Sequence, residues 1–318
     1  MTWSCLHVYY GEPQDRLLCE AVAPLVLELR SGLRGWFFLR YWMGGPHLRL
    51  RFALDPDGSG GRLEAIQGQL EGYIERHPCP LLEQPTEPSR AAYASLAALE
   101  GLSDAEASAS ILQNCVQPMP YEPELAKYGG EAGVAIAEEL FVVSSDISLE
   151  VIAATHRSAR LGRGLEMMVA GILAAGHDEA SCGAFLAEVS AFWSRYTSES
   201  QRRRWDAQLQ AQLASLVPRV ERLFSRRSEH TGGLDDPVLR WAQGIRVALA
   251  RVDGDPEVLS DVRVARGPVE RARRRDYLLL NYLHTHNNRL GIIPAYESYL
   301  AFLGHHAICR SLGAVPVT

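Results

Sequence analysis

The sequence predicts an α+β fold in which an antiparallel sheet in the N-terminal part packs against a largely helical C-terminal part. Three observations predict it. Short strand-like runs precede residue 54, a Gly-Gly-Pro turn joins two of them, and from Gly130 onward almost every apolar pattern has helical spacing. We expect a single domain over residues 1–318, with a sheet-rich half at 1–121 and a mainly helical half at 122–318.

The first half is predicted as a β-α-β-β unit followed by one more helix and one more strand. Val and Tyr mark the first strand, helically spaced leucines mark the first helix, and a turn at 43–46 separates the next two strands. A proline-rich loop after the second helix is a candidate lid. The predicted bounds are 3–10 (strand), 13–29 (helix), 36–42 and 47–52 (strands), 62–76 (helix), 77–90 (loop) and 111–121 (strand).

The second half is predicted to be helical almost throughout. Loops are expected at 232–233 and 253–256, where Gly and Asp-Gly-Asp-Pro interrupt the apolar periodicity. The predicted helices lie near 131–143, 148–175, 179–196, 199–225, 236–250, 268–288 and 294–310.

Composition argues against several classes of protein. The chain has 32 Lys+Arg against 38 Asp+Glu and a net charge of −6, which is untypical of a general nucleic-acid binder. No apolar run approaches the ~18 residues of a membrane span, and no signal-peptide pattern is seen, so a cytoplasmic location is expected. The six cysteines are scattered, and neither a P-loop nor a dinucleotide-binding glycine motif is present. We therefore expect no metal and no cofactor.

The first candidate site is a basic sheet face beside the Gly-Gly-Pro turn. Alternation places His47, Arg49 and Arg51 on one side of their strand. If a four-residue turn pairs Trp42 with His47, then Arg40 faces Arg49 and lies on the same side. Like charges directly opposite one another are unfavourable by about 0.2–1 kcal/mol. Such a face predicts either an anionic ligand or neutralisation by the protein's own Asp and Glu.

The second candidate site is the segment Tyr-Glu-Pro-Glu-Leu-Ala-Lys-Tyr-Gly-Gly at 121–130, which contains Lys127 and Tyr128. Its proline and paired glycines predict a shaped loop before a helix N-terminus. Backbone N–H groups at such a terminus can receive an anion. An ordinary connecting loop is the alternative interpretation.

The third candidate site is a polar stripe on a leucine-rich helix at 277–289. On a helix, Tyr277, Asn281, His284 and Asn288 share one face, because they are spaced by three or four residues. A neighbouring stripe contains Tyr282, Thr285 and Arg289. Titratable and amide side chains in this arrangement favour a helix whose polar side lines a cavity over a merely solvated face. His284 and His286 diverge, which argues against a metal site.

Together these three segments resemble the C-terminal domain of lantibiotic dehydratases and its stand-alone relatives in thiopeptide biosynthesis. The resemblance lies in the ordered set Arg-Tyr…Gly-Pro-His-Leu-Arg-Leu-Arg-Phe (40–52), Tyr-Glu-Pro-Glu-Leu…Lys-Tyr-Gly-Gly (121–130) and His…Asn-Arg-Leu-Gly (284–291). It spans almost the whole chain. In the elimination enzymes of this family, which release glutamate from glutamylated Ser or Thr, an Arg stands at the position of Lys127. Lys lacks the bidentate fork that suits a carboxylate.

The resemblance, with that substitution, implies a thiopeptide pyridine synthase. Such an enzyme joins two dehydroalanines of a modified precursor peptide by a formal aza-[4+2] cycloaddition, after which water and the leader peptide are lost. The chain is thus expected to be a macrocyclase that needs no cofactor. Two alternatives stay open: a glutamate-eliminating dehydratase subunit that forms dehydroamino acids, and a non-catalytic leader-binding partner protein.

Residue roles follow from the same resemblance and from side-chain chemistry. His284 is assigned as a proton shuttle, Tyr282 as a proton donor, and Asn288 and Arg289 as groups that polarise an amide carbonyl. Substrate or leader binding is assigned to Arg40, His47, Arg49, Arg51, Lys127 and Tyr128. The expected partner is a ribosomally made precursor peptide with an acidic leader, and a homodimer is one option. Neither nucleic acid nor a membrane is expected as a partner.

Overall fold

The structure is a computed structural model that describes residues 2–11, 13–55, 61–80, 111–226, 236–263 and 271–315. Contacts divide the chain into two compact units, Met1–Glu122 and Pro123–Thr318. The first unit contains a small antiparallel sheet and the second is helical, so the predicted α+β class is confirmed. Most of the predicted loop at 77–90 and all of the loop at 232–233 lie outside the described residues.

The N-terminal unit is built on a four-stranded antiparallel sheet with strand order β2-β3-β1-β4. Its first helix, α1, is continuous but irregular, because an α segment (Gln14–Leu17), a π turn (Leu18–Val22), a second α segment (Ala23–Glu28) and a 3₁₀ turn (Leu29–Gly32) follow one another. Its other described elements are β1 (Ser4–Tyr9), β2 (Leu33–Tyr41), β3 (His47–Leu54), α2 (Arg62–Arg76) and β4 (Cys115–Met119).

One sheet face forms the core of this unit. Leu6 and Val8 of β1 pair with Leu50 and Leu48 of β3, and all four side chains are fully buried. Phe38 of β2 continues the same layer. The period-2 alternation therefore sends the opposite set of β3 side chains, which includes Arg49 and Arg51, to the other face.

The predicted pairing of β2 with β3 is wrong by one residue. Tyr41, not Trp42, pairs with His47, so the connection has five residues, Trp42–Pro46, instead of four. The extra residue is accommodated by Gly44 and Gly45, whose φ angles of 74° and 111° are positive. A one-residue slip moves every β2 side chain to the opposite face.

This slip removes Arg40 from the predicted basic face. Arg40 pairs with Leu48, on the core side of the sheet, and its guanidinium binds the Asp15 carboxylate of α1 at 2.6 Å. Leu39 and Tyr41 move the other way, to the side of Arg49 and His47. Arg49 and Arg51 share one face as predicted.

The described residues of the C-terminal unit are helical almost throughout. Asp178, Ser198, Asp236 and Asp255 cap four of the helices through side-chain oxygens, as residues of these types do at helix N-termini. The helices are α3 (Leu125–Tyr128), α4 (Gly130–Ala154), α5 (Arg157–Ala174), α6 (Glu179–Trp193, extended by a 3₁₀ turn, Ser194–Tyr196), α7 (Glu199–Ser225), α8 (Pro237–Gly254), α9 (Pro256–Asp261), α10 (Arg271–Arg289) and α11 (Pro294–Ser311).

One predicted helix boundary is wrong. The sequence suggests a break between 143 and 148, where two serines and an aspartate interrupt the apolar residues, but α4 continues to Ala154 and the chain turns at Thr155. Ser144 and Ser145 are fully buried and bond side chains of α10. Tertiary hydrogen bonds therefore keep in a helix two residues that would otherwise favour a helix end.

Helix α10 packs against several helices of its unit, namely α4, α5, α8, α9 and α11. Its apolar side chains Leu278, Leu279 and Leu283 are buried. Polar residues of the same helix are buried as well, and these carry the candidate site. Among the described helices, none combines the length and apolarity that crossing a bilayer requires.

Candidate functional site

His284 of α10 forms a hydrogen-bonded pair with a carboxylate of α11. Its Nδ1 lies 2.7 Å from Oε1 of Glu297, and Oε2 of the same carboxylate accepts a bond from Nδ2 of Asn287 at 3.3 Å. The Glu297 side chain is 1% exposed, whereas that of His284 is 22% exposed. The pair therefore has a buried end and a solvent-accessible end, and the imidazole is at the accessible end.

An aromatic ring fixes the plane of this imidazole. Trp193, the last residue of α6, stacks on His284 with ring centroids 4.5 Å apart and an interplanar angle of 28°. Phe192 lies edge-on to Trp193 and is 38% exposed, and Arg195 lies over the Phe192 ring at 4.4 Å. The imidazole thus sits between an aromatic surface and a carboxylate.

Sequence reasoning selected His284 and missed its neighbours. Trp193 and Glu297 lie on other helices, 91 and 13 residues away along the chain. The only local signal for Glu297 was a carboxylate in the first turn of a predicted helix that begins with Pro294, which is an ordinary feature of helix N-termini.

Tyr282 lies on another side of α10, inside the protein. It is 0% exposed and stacks on Tyr128 of α3, with centroids 6.0 Å apart and an interplanar angle of 9°. Its hydroxyl has no hydrogen-bond partner within the described part of the chain. Burial raises the pKa of Tyr282 well above its usual value, so the phenol keeps its proton.

Arg289 is also fully buried, against α4. Its Nε donates to Oγ of Ser145, one terminal nitrogen donates to Oγ of Ser144 and to the Thr285 carbonyl, and the guanidinium lies 4.7 Å from the Phe141 ring centroid. Hydrogen bonds and an aromatic face thus solvate this charge inside the protein.

His286 is a core histidine. Its ring stacks on Trp241 at 4.0 Å, and Nδ1 lies 2.8 Å from Oγ of Ser144. Burial, with the nearby charge of Arg289, lowers the pKa of His286 to about 3. Within the described residues, no group of three or more His, Cys, Asp and Glu is arranged to hold a metal ion.

The four predicted catalytic residues therefore occupy two different surroundings. His284 and Asn288 are half-buried, on the polar face that helical spacing predicts. Tyr282 and Arg289 are enclosed between α10 and the α3–α4 segment. The helix carries all four, but only the first two share a partly accessible side.

The Lys127 segment is a packing junction. The Lys127 ammonium binds both oxygens of Glu124 at 3.2–3.3 Å, and although burial lowers its pKa, Tyr128 and Glu124 raise it by more, so the ammonium stays charged. Gly129 has a φ of 87°, and a Cβ there would lie 2.1 Å from the Val258 carbonyl oxygen. The Tyr-Gly-Gly motif therefore lets α9 approach the start of α4 closely.

In the N-terminal unit, the basic sheet face is also a histidine and tyrosine face. His7 pairs with Arg49 across the strands and stacks on His47 at 4.9 Å, and Tyr41 lies 3.5 Å below the Arg49 guanidinium. Arg49 donates to Nε2 of His47, so the His47 proton is on Nδ1, facing the Gly45 carbonyl. The two arginines carry the positive charge of this face.

Both histidines of this face are neutral. Burial is the main cause, and it lowers the pKa of His47 to about 4 and that of His7 to about 3, with the neighbouring arginines adding to the effect. Arg51 is 8% exposed and lies 5.2 Å from the Phe37 ring centroid. Aromatic faces thus offset part of the arginine charge.

The chain matches the family model of the lantibiotic biosynthesis dehydratase C-terminal domain over residues 3–308. It therefore belongs to that family, as the ordered motifs of the sequence suggest. A comparison with curated protein sequences finds no match.

Solved structures show the same fold at low sequence identity. The pyridine synthase TbtD from thiomuracin biosynthesis is 19% identical, with a TM-score of 0.79 over 98% of this chain and 99% of that one. TsrL gives 19% identity and a TM-score of 0.68 over 98% and 95%. The tRNA-dependent lantibiotic dehydratase MibB from Microbispora sp. 107891 is 19% identical, with a TM-score of 0.52 over 98% of this chain and 28% of that one.

Proposed function

We propose that this protein is a thiopeptide pyridine synthase that acts on a ribosomally made precursor peptide. It joins two dehydroalanines by a formal aza-[4+2] cycloaddition and then eliminates water and the leader peptide, which leaves an aromatic six-membered nitrogen ring within a macrocycle. The observation that carries the proposal is the fold likeness to the pyridine synthase TbtD, which covers nearly all of both chains.

The Lys127 environment supports this choice over glutamate elimination. Elimination requires cationic groups that hold the carboxylates of the departing glutamate. Lys127 is a point charge already bound to Glu124, so it is a poor second partner for such a carboxylate.

The proposed chemistry asks the protein mainly to orient two alkenes and to move protons. Orientation in a near-attack geometry can supply a large part of the rate. We assign proton transfer to His284, whose ring is fixed by Trp193 and Glu297 and is partly exposed. Elimination of water and of the leader amide needs a proton delivered to each leaving group, and an imidazole can both give and regain a proton.

The other predicted residues are assigned supporting parts. Asn288 lies on the same side of α10 as His284 and is proposed to hydrogen-bond a backbone amide of the substrate. Tyr282 retains its predicted role as a proton donor, and its buried, protonated hydroxyl has no described partner that would compete for the proton. Arg289 is proposed to supply positive potential inside the helical unit, where its bonds to Ser144 and Ser145 hold the charged guanidinium in place.

The N-terminal unit is proposed to bind the acidic leader. The sheet face that contains Arg49 and Arg51 carries two guanidinium groups, and its two histidines are neutral. Arg40 is left out of this role because its guanidinium binds Asp15 on the opposite face.

Incubation with a fully dehydrated, azole-bearing precursor peptide tests the proposal. Mass spectrometry should show one product that has lost water and the leader amide and lacks two dehydroalanines. Release of glutamate from a glutamylated precursor, with the dehydroalanines left intact, would instead establish elimination. Leader binding without either reaction would establish a partner protein.

A further inference from the structure

We infer that Glu297 is a positioning residue that directs proton transfer by His284 through Nε2. The inference rests on the proposed function only for the identity of the reaction in which His284 takes part. Glu297 itself lies in α11, outside the three segments that the sequence singles out.

The hydrogen-bond geometry fixes the tautomer. Nδ1 of His284 lies 2.7 Å from Oε1 of Glu297. A carboxylate can only accept hydrogen bonds, so the imidazole must be the donor and its Nδ1 must carry a proton. In the neutral ring the lone pair is then on Nε2, and this nitrogen is the one that can accept a proton.

Hydrogen bonds hold both oxygens of the Glu297 carboxylate. Its second oxygen accepts from Nδ2 of Asn287, so both oxygens have donors although the side chain is 1% exposed. Glu297 also lies in the first turn of α11, where the helix dipole stabilises a negative charge. A buried carboxylate held in this way has a fixed orientation. Its hydrogen bond to Nδ1 therefore also fixes the orientation of the imidazole.

Two contacts together limit rotation of the His284 ring. Trp193 stacks on one face of His284 at 4.5 Å, and the Glu297 bond sets the angle about the ring normal. Protein groups thus set the position of the His284 ring before a substrate arrives, which is the arrangement that efficient proton transfer requires.

The test combines a spectroscopic and a kinetic measurement on Glu297→Gln and Glu297→Asp. Nitrogen-15 shifts of the His284 imidazole in the free protein should report a proton on Nδ1 in the unmodified protein. In Glu297→Gln that preference should weaken, because an amide can donate as well as accept. Glu188→Gln is the matched control, since it removes the same charge from an exposed position of α6.

On the dehydrated precursor peptide, Glu297→Gln should lower kcat by about 10²-fold or more and leave KM within about 3-fold. Glu297→Asp should recover part of the kcat, because it restores the carboxylate. An unchanged tautomer in Glu297→Gln overturns the inference, and so does a changed tautomer with unchanged kcat. If the unmodified protein does not form the ring, the proposed function fails while the tautomer result still decides whether Glu297 orients His284.

Discussion

At the scale of single residues, His284 differs from the chain's other ring-stacked histidines. His7, His47 and His286 are buried and neutral, and each stacks on another ring. His284 has the same kind of stacking but keeps part of its ring exposed and adds a carboxylate partner. An oriented and partly exposed imidazole is the feature that proton transfer needs.

His284→Ala is expected to slow conversion of the dehydrated precursor by about 10²–10⁴-fold, because it removes the proposed proton carrier. Leader affinity should be nearly unchanged, since the leader is assigned to the other unit. Turnover and peptide binding measured on the same preparation check both points. His156→Ala, an exposed histidine in the same unit, is the control, and an equal loss in both variants would contradict the assignment.

Arg40 and Arg49 were predicted to act together, and the structure separates them. Arg40→Ala should lower the free energy of unfolding by about 1 kcal/mol, because its partly exposed ion pair with Asp15 is lost, and should leave leader affinity unchanged. Arg49→Ala should weaken leader binding with less effect on stability. Peptide titrations and urea denaturation of the two variants make the comparison. If Arg40→Ala weakened leader binding and Arg49→Ala mainly lowered stability, Arg40 would belong to the leader-binding face, as the sequence predicts.

At the scale of elements, strand and helix positions could be predicted but the β2–β3 register could not. Alternation fixes which residues of β3 share a face whatever strand lies beside it, and Arg49 and Arg51 were placed correctly. The partner of His47 depends on the loop length, and Gly44 and Gly45 permit either four or five residues. A difference of one residue in the length of this loop decides the side of the sheet on which Arg40 lies.

Helix boundaries and site partners show the same dependence on distant contacts. In the sequence, Ser144 and Ser145 indicate a helix end. In the structure they are hydrogen-bonded to His286 and Arg289, more than 140 positions away, and the helix continues. Local patterns report local preferences, and tertiary partners override them. Glu297 and Trp193 were missed for that reason.

The Gly129 junction makes a prediction at this scale. Gly129→Ala should lower the free energy of unfolding by more than about 2 kcal/mol, because its Cβ would meet the Val258 carbonyl oxygen and its φ is positive. Gly254→Ala is the matched control, since nothing lies within 4 Å of a Cβ there. Thermal denaturation of both proteins decides the point, and equal stabilities would show that the close approach of α9 is not required.

At the scale of the whole molecule, the buried neutral histidines link stability to pH. His7, His47 and His286 have pKa values lowered to between about 3 and 4 from an ordinary value of 6.5. Above pH 6.5 neither the folded nor the unfolded state is protonated, so the three have no effect. Below it the unfolded state binds protons that the folded state does not, and stability falls as the pH drops towards 4.

Urea denaturation between pH 7 and 5 should therefore show a loss that approaches roughly 1.4 kcal/mol per pH unit for each such histidine at the lower end of the range. This window lies above the range in which most carboxylates titrate, so the histidines dominate it. His286→Gln should reduce the slope, because one buried neutral imidazole is removed. A stability that stays flat from pH 7 to 5 would mean that these rings become protonated in the folded state.

Charge at long range makes the last prediction. The protein carries a net charge of −6, whereas the proposed leader surface contains Arg49 and Arg51, so an acidic leader would be attracted by the local field of these arginines against the overall charge. Leader affinity should fall as salt rises from 0.1 M to 1 M, since the Debye length shrinks from ~10 Å to ~3 Å. Arg49→Ala should bind more weakly at low salt and show a shallower salt dependence, because fewer charges are left to screen. Calorimetric titrations across this range measure both effects, and an affinity that is indifferent to salt would place the leader on an apolar surface instead.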